Sequence, residues 1–186
     1  MSLRRSLTSI GIASLAAVAA ISGVAAAAHH RGAVHHKAVV GVARFVKSEA
    51  KAHTAILTII GNDGSTNGGE NFDGYANGKL TFVVPRGWNV VVNFSVSASS
   101  GIPHSLGVMP ANGKFSMTSP RPVFAGAATP NAVDGTPPGD KVTMHFKVTK
   151  AGKYRLECLV PGHAQLGMWD WLVVPAKGAK ATATAR

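Results

Sequence analysis

The residues with the most chemistry to offer are the sole cysteine, Cys158, and two donors that follow it at even intervals: His163 five positions on and Met168 five beyond that. The spacing bridges two β-like runs. A thiolate at a strand end, an imidazole on the next loop and a thioether where the following strand begins can therefore meet, because the turn folds the loop back over the strand ends. A fourth donor must come from elsewhere, and His104, after Ile102-Pro103, stands just beyond another β-like run. Two imidazoles and a thiolate in a trigonal set, with a weak axial thioether, suit one type 1 copper ion. Thiolate and thioether favour Cu(I), imidazole accepts Cu(II), and a geometry between the two preferences needs little rearrangement per electron. Taken singly, each residue has a plainer reading: a buried apolar thiol, a loop histidine, a core methionine. Their combination points to metal.

The elements that must position these donors are legible from Thr54 onward as short β-branched and aromatic runs separated by Gly, Pro, Asn and Asp. The runs are Thr54 to Ile60, Lys79 to Val84, Asn89 to Val96, Lys141 to Val148, Tyr154 to Leu159 and Trp169 to Val174. In Lys141 to Val148, Val142, Met144, Phe146 and Val148 alternate with Thr143, His145 and Lys147, which puts His145 on the wet face. Pro120 to Asp140 is rich in Pro and Gly and shows no periodicity. No crossover helix separates the later strands, so an antiparallel sandwich or barrel is expected over a parallel α/β sheet.

Residues 1–28 read as an address. Arg4 and Arg5 precede an uncharged, alanine-rich stretch, Leu7 to Ala28, that ends in small residues, the order of an export signal. The stretch also reaches the roughly 20 residues of a membrane span, so cleavage is the favoured reading and an N-terminal anchor the alternative. Residues 29–53 form a His-rich lead-in, with His29, His30, His35 and His36 as a solvated tail or a weak metal site. A short amphipathic helix follows, on which Val39, Val40, Val42, Phe45 and Val46 share a face. Residues 54–175 make the main domain, and 176–186 a flexible basic tail.

The 186 residues are 46% hydrophobic, 15% charged and 6% aromatic, which argues against a disordered or collagen-like chain, and one Cys closes no intramolecular bridge. Nineteen Lys and Arg against eight Asp and Glu give +11. Residues 1–28 carry only two of those positive charges, so the basic balance belongs to the remainder. Such a surface suits acidic partners, anionic lipid or nucleic acid, and charge alone does not choose among them. Nucleic acid is not expected, since export and the lack of an aromatic-basic platform argue against it. Met109, Met117 and Met144 are expected as core or surface residues, and His53 and His145 as structural or solvated ones.

At four stretches the chain resembles the cupredoxins, and among them the sulfocyanin and rusticyanin group: the Cys-x4-His-x4-Met loop containing Pro161-Gly162-His163-Ala164, then Gly101-Ile102-Pro103-His104-Ser105, Val84-Pro85-Arg86-Gly87-Trp88, and Asn71-Phe72-Asp73-Gly74. The resemblance covers roughly Thr54 to Val174. It implies an all-β Greek-key β-sandwich, with a short N-terminal helical extension, holding one type 1 copper through His104, Cys158 and His163 equatorially and Met168 axially. Many cupredoxins place Asn after the first His ligand; here Ser105 stands there, as in rusticyanin-like proteins, and a shorter donor beside the thiolate in an apolar surround is expected to favour Cu(I). Glu157 departs from the pattern as an acidic neighbour of Cys158, but strand alternation turns its side chain away from the metal.

The expected function is extracytoplasmic electron transfer, with copper cycling between Cu(II) and Cu(I) and a cytochrome or terminal-oxidase subunit as redox partner. The protein is expected to be a monomer and not an enzyme. The alternatives are a copper carrier delivering metal to an oxidase, supported by the His-rich head, and a metal-free structural sandwich with Cys158 as a core thiol.

Overall fold

The computed structural model describes residues 41–115, 117–118 and 120–186. The expected export segment and the His-rich stretch 29–36 lie outside the described residues. Nine strands build two sheets: β1 (Val46–Glu49), β2 (Thr54–Gly61), β3 (Leu80–Val83), β4 (Asn89–Val96), β5 (Gly107–Pro110), β6 (Lys141–Lys147), β7 (Gly152–Glu157), β8 (Trp169–Val174) and β9 (Thr182–Ala185). One sheet has the order β1-β2-β4-β6 and the other β5-β7-β8-β3-β9.

Alternation along the strands explains how the sheets face each other. Ala55, Leu57 and Ile59 of β2 are buried with Val90, Val92, Phe94 and Val96 of β4, and Met144 and Phe146 of β6. From the second sheet come Leu80 and Phe82 of β3, Leu156 of β7, and Leu172 and Val174 of β8. Each fully buried Leu, Val or Phe contributes about 1.5–3 kcal/mol through removal from water. His145 is exposed, as its place in the alternation requires.

All six expected strands are present, within two residues at either end. The all-antiparallel expectation needs correction, since β2 pairs with β4 in parallel, Leu57 opposite Val92, and β3 pairs with β8 in parallel, Phe82 opposite Leu172. No helix is needed between β2 and β4, because the chain crosses to the other sheet as β3 and returns. The result is a Greek-key β-sandwich.

Two further expectations are corrected. The amphipathic pattern over Val39 to Val46 is helical only at residues 41–43 among those described; Val46–Glu49 is a strand on the edge of β2, Val46 opposite Leu57. The gain from pairing a free edge outweighs a weak local helical preference. Residues 176–186 are likewise not a flexible tail. Thr182–Ala185 pairs antiparallel with β3, Ala181 and Ala183 are buried, and the Ala181 amide donates to Ser48 Oγ at 2.8 Å. No helix among the described residues is long and apolar enough to cross a membrane.

The acidic side chains are unevenly placed. Asp73, Glu157 and Asp170 are buried, Glu49, Asp63 and Glu70 are partly covered, and only Asp134 and Asp140 are exposed.

Candidate metal centre

At one end of the sandwich, three loops meet the ends of β2, β7 and β8. Cys158 directly follows β7 and Met168 directly precedes β8, and the Cys158 amide donates to the Met168 carbonyl at 3.0 Å, continuing the β7–β8 pairing one step into the loop. The loop between them is a run of tight turns, with the His163 amide on Val160 O, the Met168 amide on His163 O and the Gly167 amide on Ala164 O. These bonds carry His163 back over the strand ends. That is the folding-back anticipated from the Cys-x4-His-x4-Met spacing.

His104 arrives from the β4–β5 connection and is held by a two-way backbone bridge to Thr136: its amide donates to Thr136 O at 3.1 Å and its carbonyl accepts from the Thr136 amide at 2.7 Å. The aperiodic Pro120 to Asp140 stretch thus has a definite task, clamping a donor loop. Gly135 permits the approach. Its φ of +84° is a conformation that L side chains rarely adopt, and a Cβ there would lie 3.1 Å from the His104 amide nitrogen.

Three donors face one another. His104 Nδ1 lies 3.1 Å from His163 Nδ1 and 4.0 Å from Cys158 Sγ, and the Sγ to His163 Nδ1 distance is 3.4 Å. Among the described residues these three are the group whose donor atoms lie within 4.8 Å of one another, and all three are buried. Metal bonds of about 2.0–2.3 Å to imidazole nitrogen and thiolate sulfur, set at trigonal angles, separate donors by about 3.5–3.8 Å. The observed edges bracket that range, so the residues fit a single copper ion, and a soft thiolate beside two imidazoles is the donor chemistry that ion selects.

Met168, fully buried, closes in from the β2 side. A Cβ on Gly61 would come within 3.2 Å of His104 Cβ and 3.5 Å of Met168 Cε, so the thioether end and the first imidazole pack against the same glycine. Ser105 braces the sulfur as the sequence suggests. Its amide donates to Cys158 Sγ at 3.3 Å, and its hydroxyl accepts from the Leu159 amide at 2.9 Å while standing 3.8 Å from the sulfur.

Burial sets the protonation of these groups. The Cys158 thiol is pushed up to about 11 by desolvation, against the lowering effect of the Ser105 and Val160 amides. His104 is brought down to about 4 by burial and by the neighbouring His163, itself lowered by burial. Burial thus favours the neutral form of each group, and a bound metal ion would take the sulfur as thiolate, with release of the thiol proton.

Other sequence expectations resolve as follows. Glu157 faces away from the sulfur and forms a buried ion pair with Arg155. Met109 and Met144 are buried, Met117 is exposed, and His53 stacks on Trp88 at 5.7 Å. Sequence reasoning missed Thr136, Gly61 and above all Glu70, whose Oε2 lies 3.4 Å from His163 Nδ1. No local pattern marks Glu70, since it ends a Gly- and Asn-rich turn far along the chain from the other donors.

Residues 42–182 match the family model described as the sulfocyanin domain. The chain is 32% identical to the sulfocyanin of Sulfolobus acidocaldarius over 127 residues, which is 64% of this chain and 63% of that protein's length. Among solved structures, the reduced auracyanin of Roseiflexus castenholzii is similar at 24% identity and a TM-score of 0.47, covering 66% of this chain and 97% of that one. The rusticyanin of Thiobacillus ferrooxidans is similar at 21% identity and a TM-score of 0.44, covering 71% and 88%. With a buried His-Cys-His group at the end of a Greek-key sandwich and a family match spanning both sheets, the chain belongs to the sulfocyanin family of blue copper cupredoxins.

Proposed function

We propose that this protein is an extracytoplasmic electron carrier that holds one type 1 copper ion through His104, Cys158 and His163, with Met168 as the weak axial donor. The observation that carries the reading is the buried triangle of two imidazole nitrogens and one sulfur, with edges of 3.1, 3.4 and 4.0 Å. When bound, copper supplies a one-electron couple. The protein contributes positioning: the Thr136 bridge, the turns around His163 and the Ser105 brace hold the donors in place, which limits rearrangement when the ion changes oxidation state.

His163, at 9% exposure, is the least buried of the four, the others being at or near zero. Electrons therefore enter and leave through its imidazole. Around it stand exposed Leu166 and, through the contact of Gln165 with Met117, a second apolar side chain. A small apolar rim supports brief docking over tight association, and the cationic surface favours an acidic partner and a fast encounter. A cytochrome or terminal-oxidase subunit outside the cytoplasm fits that description, and the signal-like character of residues 1–28 supports the location. We take the protein to act as a monomer and as a carrier, not a catalyst.

The test is an optical spectrum and redox titration of the copper-loaded protein beside Cys158→Ser. An intense visible band that cycles reversibly with one electron and vanishes in the variant supports the proposal. A colourless, readily exchanging Cu(I) form, or a band untouched by the substitution, overturns it.

A further inference from the structure

Glu70 follows the turn Thr66–Gly69 and extends its carboxylate to the imidazole of His163. Its Oε2 is inaccessible to water, accepts no hydrogen bond among the described residues, and lies 3.4 Å from His163 Nδ1. The side chain is only 14% exposed. It does not belong to the group whose donor atoms all lie within 4.8 Å of one another, so it flanks the donor triangle on the His163 side without being part of it.

Its position is fixed from the backbone outward. Asn67 Nδ2 donates to the Glu70 carbonyl at 2.7 Å and to the Leu166 carbonyl at 2.9 Å, so one amide ties the Glu70 turn to the loop that carries His163. The Glu70 amide returns a bond to Asn67 O at 3.2 Å. Asn71 locks the other flank, donating to Thr66 O and accepting from the Asp63 and Gly74 amides. These bonds fix the backbone from which the Glu70 side chain extends towards His163.

We propose that Glu70 is a positioning charge of the copper centre that stabilises Cu(II) relative to Cu(I). The nitrogen it faces is the one assigned to the ion. Once that nitrogen is occupied by metal, the carboxylate is left with the ion as its nearest compensating charge, and an uncompensated charge in a covered site is costly. Its attraction to a dication exceeds that to a monocation by one full unit of charge, acting where water screens poorly. Glu70 thus opposes the Ser105 brace, which favours the reduced ion.

The proposal rests on the copper reading above, and the test separates the two. Copper-loaded wild type, Glu70→Gln and the charge-retaining Glu70→Asp are titrated potentiometrically at pH 7, and the Cu(II) and Cu(I) affinities of the metal-free proteins are measured by chelator competition. In Glu70→Gln we expect Cu(II) affinity to fall about tenfold or more with Cu(I) affinity little changed, raising the midpoint by about 59 mV per factor of ten. The thiolate band should stay in place, and Glu70→Asp should remain nearer wild type. If the Gln chain does not fold, Glu70→Ala removes the charge in its stead. A midpoint unchanged or lowered in a blue, folded variant overturns the proposal and leaves the copper reading intact. A displaced thiolate band overturns it in favour of a ligand or scaffold role, whereas a wild type that takes up no copper defeats both.

Discussion

Ser105 grips Cys158 with its backbone and the loop residue after it with its side chain: the amide reaches the sulfur at 3.3 Å while the hydroxyl accepts from the Leu159 amide. Ser105→Ala keeps the first contact and deletes the second, leaving a buried N–H without an acceptor, at a cost of about 1–3 kcal/mol. It also removes the hydroxyl standing 3.8 Å from the sulfur. Less hydrogen bonding leaves the thiolate a stronger donor to Cu(II). We expect a lower melting temperature and a lower midpoint, read by calorimetry and potentiometry; a midpoint that rises would contradict the assigned role.

Gly61 is where β2 makes room for the centre. A methyl group there would meet His104 Cβ at 3.2 Å and Phe94 Cζ at 3.3 Å, with Met168 Cε at 3.5 Å. Gly61→Ala should destabilise by about 1–3 kcal/mol through overpacking, and shift the visible spectrum because the displaced atoms belong to a donor residue. Denaturant melts and the absorption spectrum of the variant check both halves.

Asp73 and Asp170 are buried carboxyl groups, each with one oxygen on a backbone amide, Ile60 for Asp73 and Leu80 for Asp170. Desolvation holds Asp73 well above the ordinary carboxylate range, aided by Asp63 and Asp170 and opposed by Arg44, and pushes Asp170 up to about 8. The folded protein therefore binds these protons more tightly than the unfolded chain. Their contribution to stability is greatest on the acid side and declines as pH rises from about 4 towards 8, by at most about 1.4 kcal/mol per pH unit for each group. Asp170→Asn keeps an oxygen for Leu80 and cannot ionise. Its melting temperature should vary less with pH over that window than wild type in the same metal state, and equal slopes would refute the assignment.

Removing residues 181–186 strips β9 from the edge of β3 and uncovers the partners of Ala181 and Ala183. With each ladder bond worth about 1 kcal/mol net, the truncated chain should lose a few such increments. An unaltered denaturant midpoint would mean that the strand contributes nothing.

What the sequence revealed follows from how local each signal is. Cys158, His163 and Met168 share one loop whose turns are written in its Pro and Gly residues, and His104 sits beside a recognisable strand end, so their convergence was legible. Alternation made β6 and the wet face of His145 plain for the same reason. β1 and β9 were not legible, because Val46–Glu49 and the Thr-Ala repeat become strands only where a neighbouring edge has bonds to offer. Glu70 escaped for a further reason: it is a single carboxylate brought to His163 by the crossing of the chain between sheets.

The scarcity of exposed acids has an outcome for the way identical molecules treat each other. With Asp134 and Asp140 the most exposed acidic residues and cations in excess, two copies would meet as like-charged bodies, and their mutual repulsion would discourage swapping electrons among themselves. Added salt would quicken such self-exchange by screening the repulsion, and would slow exchange with the acidic partner proposed above by screening the attraction. The molecule is thus insulated from its own kind.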